Sequence, residues 1–544
     1  MTLLELTAQV VGQSCDVEDI LSCIPFLSKE ASTRIWRHMK PARLRDLEIL
    51  VMNAAPDTAV LDEFEQQWEA WTVADASVVF DGHESSRYFG NEGVFIGSSS
   101  LVPPRPFRAL YWERVFRVML ATTTTTTTTT PMHLFQNVVY EVKVRGNELT
   151  TDSVGHLLTL TTLHRVEIHH LVESSSFWTH ASSLVQHSST LRELCILHSK
   201  LSSLQPLLAA LRARKHPILS MLEFVSITLR GSAFTDLVTL VDAHVVRGMR
   251  LTNSIPEDAA SIFVPAATSL DTVLVQHHDL NDLDMPPFCR TTRLSLGSNA
   301  LSSVSFLSRC VHLVELDVSH NDLGDAGIST LATSCLPQMP KLTKLFVFNC
   351  HFSAAGAAAL FTSVASPASS IQVLNAGRNY LGPAAQLAVL APFLSSPSSV
   401  TSLHLNYIGL GSAISPTFCM ALQSFSQLTQ LSLGENRLRD QGAASIFASL
   451  PFPMQALDLS GNLVTRQGLS DIANHITSST CSSPRRRRAK SGEVERHKCW
   501  IEEVNLRSNQ FDAADMRDTL AKLHMALPTV YANEWRHNTH DYQC

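Results

Sequence analysis

The stretch LVELDVSHNDLGDAGISTLATSC, Leu313 to Cys335, reads as a short strand that turns abruptly into a helix. In the frame L-x-x-L-x-L-x-x-N-x-L it puts Leu313, Leu316, Val318, Asn321 and Leu323 at positions one, four, six, nine and eleven. The frame recurs forward from Leu342, Ile371, Val400, Leu428, Met454 and Ile501, and backward from Thr291, Leu270, Leu219, Leu191 and Val139. Degenerate copies begin at Leu163 and Val246, for about fourteen units. Apolar residues at one, four and six point inward from a strand, and the residue at eleven closes the turn beneath it. Asn at nine can bond backbone groups of neighbouring turns through both ends of its amide. The segments GDAGISTLA, RDQGAASIFASL and TRQGLSDIANHI then carry Gly followed by apolar residues at helical spacing.

A chain of 544 residues is too long for one ordinary core, and no single unit buries its apolar face alone, so the units must stack and both ends need caps. The sequence resembles the ribonuclease-inhibitor-like class of the leucine-rich repeat superfamily over about three quarters of its length. The resemblance implies an α/β solenoid of horseshoe form, with a concave parallel β-sheet and convex helices, preceded by a small mainly helical N-terminal region. Its homopolymer tract and degenerate units also look similar to protozoan, especially trypanosomatid, leucine-rich repeat proteins, which implies a cytoskeletal or flagellar place in the cell.

Residues 1–121 contain no copy of the frame and read as a helical domain or an N-terminal cap. Within them RPFRALYWERVFRVML reads as a capping helix in preference to a partner-binding one. Residues 122–138, opening on a run of threonines that ends at Pro131, read as a linker. The array occupies 139–511. Residues 512–544 supply a helix and the truncated strand LPTVYANEW, with Leu527, Val530 and Ala532 in the frame. An insertion near 477–499 carries Arg485, Arg486, Arg487, Arg488 and Lys490. A solvated loop is the plain reading. A nuclear import signal, an RNA or acidic-partner contact, and a phosphorylation switch at Ser482, Ser483 or Ser491 stay open.

With Lys+Arg 42 against Asp+Glu 49, no global field draws the chain to nucleic acid or anionic lipid. No apolar run is long enough to span a membrane and the first residues lack a secretory pattern, so a cytoplasmic chain is expected. The 11 cysteines are odd in number and include no C-x-x-C pair, as suits buried reduced thiols. There is no P-loop, no G-x-G-x-x-G after a strand, no H-E-x-x-H and no G-x-S-x-G. No catalytic residue, cofactor or metal is expected, and His170, His198, His277 and His320 at position eight read as a polar rim.

Positions five, seven and eight flank the inward leucines and project from the sheet. In the most regular block they bring Phe346 and Phe348, then Asn375 and Arg378, then His404, Asn406 and Tyr407, and Glu435 into one aromatic and polar patch. Both phenylalanines are expected to face outward. In the opening stretch the same register exposes Glu315, Asp317, Ser319 and His320.

The function expected is a monomeric, non-enzymatic scaffold that binds a protein partner. One alternative is a ubiquitin-ligase substrate adaptor, from an F-box-like opening in DILSCIPFLSKEASTRIWRHM. The other is a GTPase-activating regulator resembling Ran GTPase activating proteins, with Arg378 and Arg437 beside Asn379 and Asn436 as candidates, although no segment matches that family's catalytic loop and its acidic tail is missing.

Overall fold

The computed structural model describes residues 3–18, 20, 24, 29–54, 61, 63–64, 67–68, 107–122, 131–170, 173–254, 266, 269–278, 280, 288–383, 389, 391–394, 398–450, 454–481, 501–511, 516–526 and 529–531. They fall into two compact units, meeting in sequence between Gly248 and Met249.

The first unit opens with helices α1 (Leu3–Ser14), α2 (Lys29–His38), α3 (Pro41–Ala54) and α4 (Phe107–Thr122). Four parallel strands follow, β1 (Glu141–Arg145), β2 (Arg165–His169), β3 (Glu193–Leu197) and β4 (Met221–Val225). They alternate with helices α5 (Thr151–Thr159), α6 (Ser175–His187), α7 (Gln205–Ala213) and α8 (Ala233–Asp242). Sequence frame and strand coincide even at the degenerate copy from Leu163, which forms β2.

The second unit continues with β5 (Gly248–Thr252), β6 (Thr272–Gln276), β7 (Arg293–Ser295), β8 (Glu315–Asp317), β9 (Lys344–Phe346), β10 (Val373–Asn375), β11 (Ser402–His404), β12 (Gln430–Ser432), β13 (Met454–Asp458), β14 (Ile501–Asn505) and β15 (Thr529–Tyr531), arranged in sequence order. Its helices are α9 (Gly324–Thr330), α10 (Ala354–Val364), α11 (Pro416–Ser424), α12 (Arg439–Ser449), α13 (Arg466–Cys481) and α14 (Arg517–Ala526). From β8 onward position four meets position four: Leu316, Leu345, Leu374, Leu403, Leu431, Leu457, Val504 and Val530 form one buried ladder.

Position nine staples the coils as its amide chemistry suggests. Asn379 Nδ2 donates to Val347 O of the preceding coil at 2.9 Å and to Ala376 O at 3.0 Å, while its Oδ1 accepts from Cys350 N at 2.7 Å. Asn299, Asn321, Asn436, Asn462 and Asn509 repeat the pattern. Where the frame has Cys350 instead, its thiol donates to Val318 O at 3.2 Å, a softer version of the same link.

The chain turns off the strand through position eight, which is left-handed in every unit from Leu163 onward, as in His198 (φ 49), His320 (φ 56), Arg378 (φ 55), Tyr407 (φ 55) and Glu435 (φ 56). This conformation aims the position-eight N–H at the next coil's position-seven carbonyl, for instance Arg378 N to Asn406 O at 2.7 Å. In α9 and α12 a glycine at position fifteen lets the helix close on the coil before it: a Cβ on Gly327 would lie 3.0 Å from Ser302 O, and one on Gly442 3.2 Å from Ser412 O. Asp325, at the start of α9, accepts from Ser353 N (2.8 Å), Ser353 Oγ (2.7 Å) and Gly356 N (2.8 Å), and so caps the N-terminus of the next helix, α10.

The first coil has no coil before it, and α4 supplies the substitute. In later coils the N–H groups at positions two and three both donate to the preceding position-two carbonyl, as His164 N and Arg165 N do to Tyr140 O. In the first coil Tyr140 N (3.0 Å) and Glu141 N (2.8 Å) donate instead to Glu113 Oε1 on α4. Arg45 of α3, buried with Glu48, donates to Leu134 O and Gln136 O just upstream.

Two substitutions test this scheme by urea unfolding. Glu113→Ala orphans two N–H groups and is expected to cost about 2–6 kcal/mol, at roughly 1–3 kcal/mol per orphaned buried group. Asn379→Ala should lower stability by a similar amount, about 2–4 kcal/mol, and Asn379→Cys by less, since a thiol keeps one inter-coil donor.

Candidate functional site

Position five forms a row across the sheet of the second unit: Ser295, Asp317, Phe346, Asn375, His404, Ser432, Asp458 and Asn505 are successive register partners. The spacing therefore does bring Phe346, Asn375 and His404 side by side. Much of the row is engaged in holding the turn that follows. The side chains of Asp317, Asn375, Asp458 and Asn505 accept from the N–H two residues on, at Ser319 (3.0 Å), Gly377 (3.1 Å), Ser460 (3.0 Å) and Arg507 (3.2 Å). Where position five lacks such an acceptor, the preceding coil lends one: Phe348 N donates to Ser319 Oγ (3.2 Å) and Gly434 N to Asn406 Oδ1 (2.7 Å).

These bonds correct part of the sequence reading. Asp317 and Ser319 are buried architecture, and Glu315 pairs with Lys344 (2.7 Å) and Arg293 (2.9 Å), which leaves His320 of that group partly open. Phe348 does not face outward: it is 3% exposed. Gly377 of the next coil has no side chain, and the ring fills the trough that this leaves, with His320 edge-on at 5.2 Å. Phe346, Asn375, His404 and Asn406 are half-buried.

The exposed residues lie along the rim where the chain leaves the strands. Arg378, Tyr407 and Glu435 occupy position eight of three successive coils, and Tyr407 is 50% exposed. Tyr380, 73% exposed, belongs with them, as do Arg437 and Arg439. The frame assigned no outward direction to positions ten and twelve, where these last three sit.

A second polar group, on the first unit, was missed because position three also faces out of the sheet. There Arg165 Nη1 lies 2.8 Å from Glu193 Oε2 and 2.8 Å from Glu223 Oε1, and Nη2 lies 3.1 Å from Glu167 Oε1, with Glu141 alongside and Lys143 3.3 Å from Glu167. Burial alone would lower Arg165, but the Glu223 and Glu167 carboxylates beside it help raise it on balance and keep the guanidinium charged. Burial likewise works against the Glu167 carboxylate, and the His169 hydrogen bond with the Arg165 and Lys143 charges brings it below the usual range. Cys195, flanked in register by Glu167 and Glu223, is a buried thiol pushed far up by burial and by Glu223.

On adjacent coils His170 and His198 stack with centroids 5.3 Å apart. Among the described residues no group of three or more His, Cys, Asp or Glu is arranged to hold a metal, and no helix is long and apolar enough to cross a membrane. Arg485, Arg486, Arg487, Arg488 and Lys490 lie outside the described residues.

A family model described as Leucine Rich repeat matches residues 309–332, the coil from which the frame was read. The fold is that of a leucine-rich repeat solenoid. Its curated relatives include NACHT, LRR and PYD domains-containing protein 3 of Macaca mulatta, 31% identical over 276 residues that make up 47% of this chain and 26% of that protein. They also include the ribonuclease inhibitor of Sus scrofa, 36% identical over 167 residues, 30% of this chain and 35% of that one. The leucine-rich repeat chain thus matches well under half the length of either relative. Among solved structures, an internalin from Listeria monocytogenes aligns over 78% of this chain and 95% of its own at 14% identity, with a TM-score of 0.33.

One group on the repeat sheet sets a pH dependence. Burial lowers the His404 imidazole to about 4 from an ordinary 6.5. The fold therefore favours neutral His404, so this contribution to stability is complete above pH 6.5 and is lost as pH falls toward 4. Wild type is expected to lose up to about 1 kcal/mol per pH unit across that window relative to His404→Gln, read from urea midpoints at a series of pH values.

Proposed function

We propose that this leucine-rich repeat chain is a non-enzymatic scaffold that binds a protein partner through the rim formed by Arg378, Tyr380, Tyr407, Glu435 and Arg437. The observation that carries the reading is the exposure of Arg and Tyr side chains on three successive coils whose backbone is bonded into the next coil. Arg378 N donates to Asn406 O at 2.7 Å, Tyr407 N to Gly434 O at 2.9 Å and Glu435 N to Ser460 O at 2.8 Å. Exposed Arg and Tyr are over-represented among residues that dominate binding energy, and a backbone already fixed loses little further freedom on docking. A relative that bears the name ribonuclease inhibitor supports a binding role.

The rival readings fare less well against the same contacts. A GTPase-activating role would draw on Arg378 and Arg437, and the asparagines beside them, Asn379 and Asn436, spend their amides on inter-coil bonds to backbone. A ligase adaptor would present the N-terminal helices to a second protein, whereas α3 and α4 direct Arg45 and Glu113 into the start of the array.

The test is affinity capture of the full chain from its native cells after chemical crosslinking, comparing wild type with Arg378→Ala/Tyr407→Ala. The double variant should keep its melting temperature and lose at least one wild-type partner by about tenfold or more, as expected for hot-spot residues. Retention of every partner at wild-type yield would refute the assignment of the rim.

A further inference from the structure

The rim also carries information about the chemistry of its partner. Position twelve is left-handed in four coils of the second unit: Gly324 (φ 54), Gly382 (φ 68), Gly411 (φ 75) and Arg439 (φ 54). In each the position-twelve N–H donates to the position-nine carbonyl of the next coil, at 3.0 Å from Gly324 to Cys350, 3.0 Å from Gly382 to Ile408, 3.1 Å from Gly411 to Asn436 and 2.9 Å from Arg439 to Asn462. The fold asks for the same backbone at all four places, and three have the residue that adopts it without steric cost. The fourth has an arginine. Position ten is more permissive, left-handed at His351 (φ 59), Gly409 (φ 80), Arg437 (φ 57) and Leu463 (φ 60), and Arg437 reaches the rim from it. The exposed guanidinium of Arg439 therefore sits where the other left-handed coils carry glycine. Strained residues of this kind concentrate where a side chain is needed for something other than the fold.

Together with Arg378 these residues place three guanidiniums, two exposed tyrosines and the exposed carboxylate of Glu435 on three successive coils of a chain whose net charge is -7. Among the described residues none of the three arginines enters an ion pair. The neighbouring Asp440 is occupied in bonding Thr465 N (2.7 Å) and Thr465 Oγ1 (2.6 Å) at the start of the following coil.

Resting on the scaffold reading above, we infer that the rim docks an acidic segment of a protein partner, with its carboxylates at Arg378, Arg437 and Arg439 and its apolar atoms against Tyr380 and Tyr407. Strands lie about 4.8 Å apart, so the rim spans about 10 Å across three coils, the reach of roughly three extended residues. Glu435 lies among the arginines by register. It repels a continuous phosphate backbone, but a peptide can meet it with a neutral or basic residue between its acidic ones. That favours protein over RNA.

The experiment uses the full chain in its native cells with Tyr380→benzoylphenylalanine as a photocrosslinking probe, followed by mapping of the crosslinked segment by mass spectrometry. The expected result is a protein segment in which Asp and Glu outnumber Lys and Arg. Adding Arg437→Gly/Arg439→Gly, which copies Gly409 and Gly411, should cut the crosslink at least tenfold while the melting temperature stays level or rises. A crosslinked segment that is neutral or basic, crosslinks to RNA in place of protein, or a yield unchanged by the two glycines would each overturn the acidic-segment assignment. A protein partner captured through a non-acidic segment would still leave the scaffold reading standing, whereas the absence of any crosslinked protein would end both.

Discussion

In six coils of the second unit a side-chain amide that imitates a peptide group fixes the coil to the one before it. Asn436 shows the logic: Nδ2 donates to Leu405 O of the coil before and to Leu433 O of its own, while Oδ1 accepts from Ile408 N of the coil before. A buried amide satisfied at both ends stabilises the stack, and one left half-satisfied would cost more than the bonds are worth. The asparagine therefore tolerates only one spacing and one turn geometry. That geometry requires a left-handed residue immediately before it, whatever its side chain, and the side chains carried there leave the turn in directions that the coil spacing sets. The array's exposed chemistry is thus laid out by an interaction that is itself entirely hidden.

How much of this is legible in the sequence depends on whether a position is chosen by its side chain or by its backbone. The inward Leu, Ile and Val ladder is legible because burial selects residue type, and Asn at position nine because only an amide has both a donor and an acceptor at that reach. The left-handed turn at position eight is not, since His, Ser, Asn, Arg, Tyr and Glu all occupy it. Phe348 was misread because its surroundings depend on Gly377 in a different coil, 29 residues away in the frame. Asn375 and Asn406 look like surface polar residues in the sequence, yet their acceptors hold backbone N–H groups. Arg378, Tyr407 and Glu435 were found because position eight has an outward direction in the frame. Tyr380 and Arg439 needed the actual path of the chain, and Arg437, named from the sequence for a different role, needed it to join the rim.

The two units handle charge on their sheet surfaces differently. In the first, Arg165 sits among Glu167, Glu193 and Glu223, and the charges are consumed locally in a dense network. Desolvation offsets most of the attraction in such a network, so its net contribution to stability is small. In the second unit the position-five carboxyls of Asp317 and Asp458 are held above the usual range by burial, and the guanidiniums stand at the rim. Charge is hidden in one place and displayed in the other.

The carboxylate of Glu113 has a meaning beyond the helix that carries it. The outermost strand of any parallel sheet offers unpaired N–H groups on which another chain can build, which is how native folds are drawn into aggregates. On β1 the groups at Tyr140 and Glu141 are taken by Glu113, and the one at Arg145 by Glu148 Oε2 at 2.8 Å. Two acidic side chains thus occupy the edge that an incoming strand would need, and they repel any newcomer's carbonyl oxygens by their charge. The atoms that complete the first coil thus also take three of the N–H groups on which another strand would build.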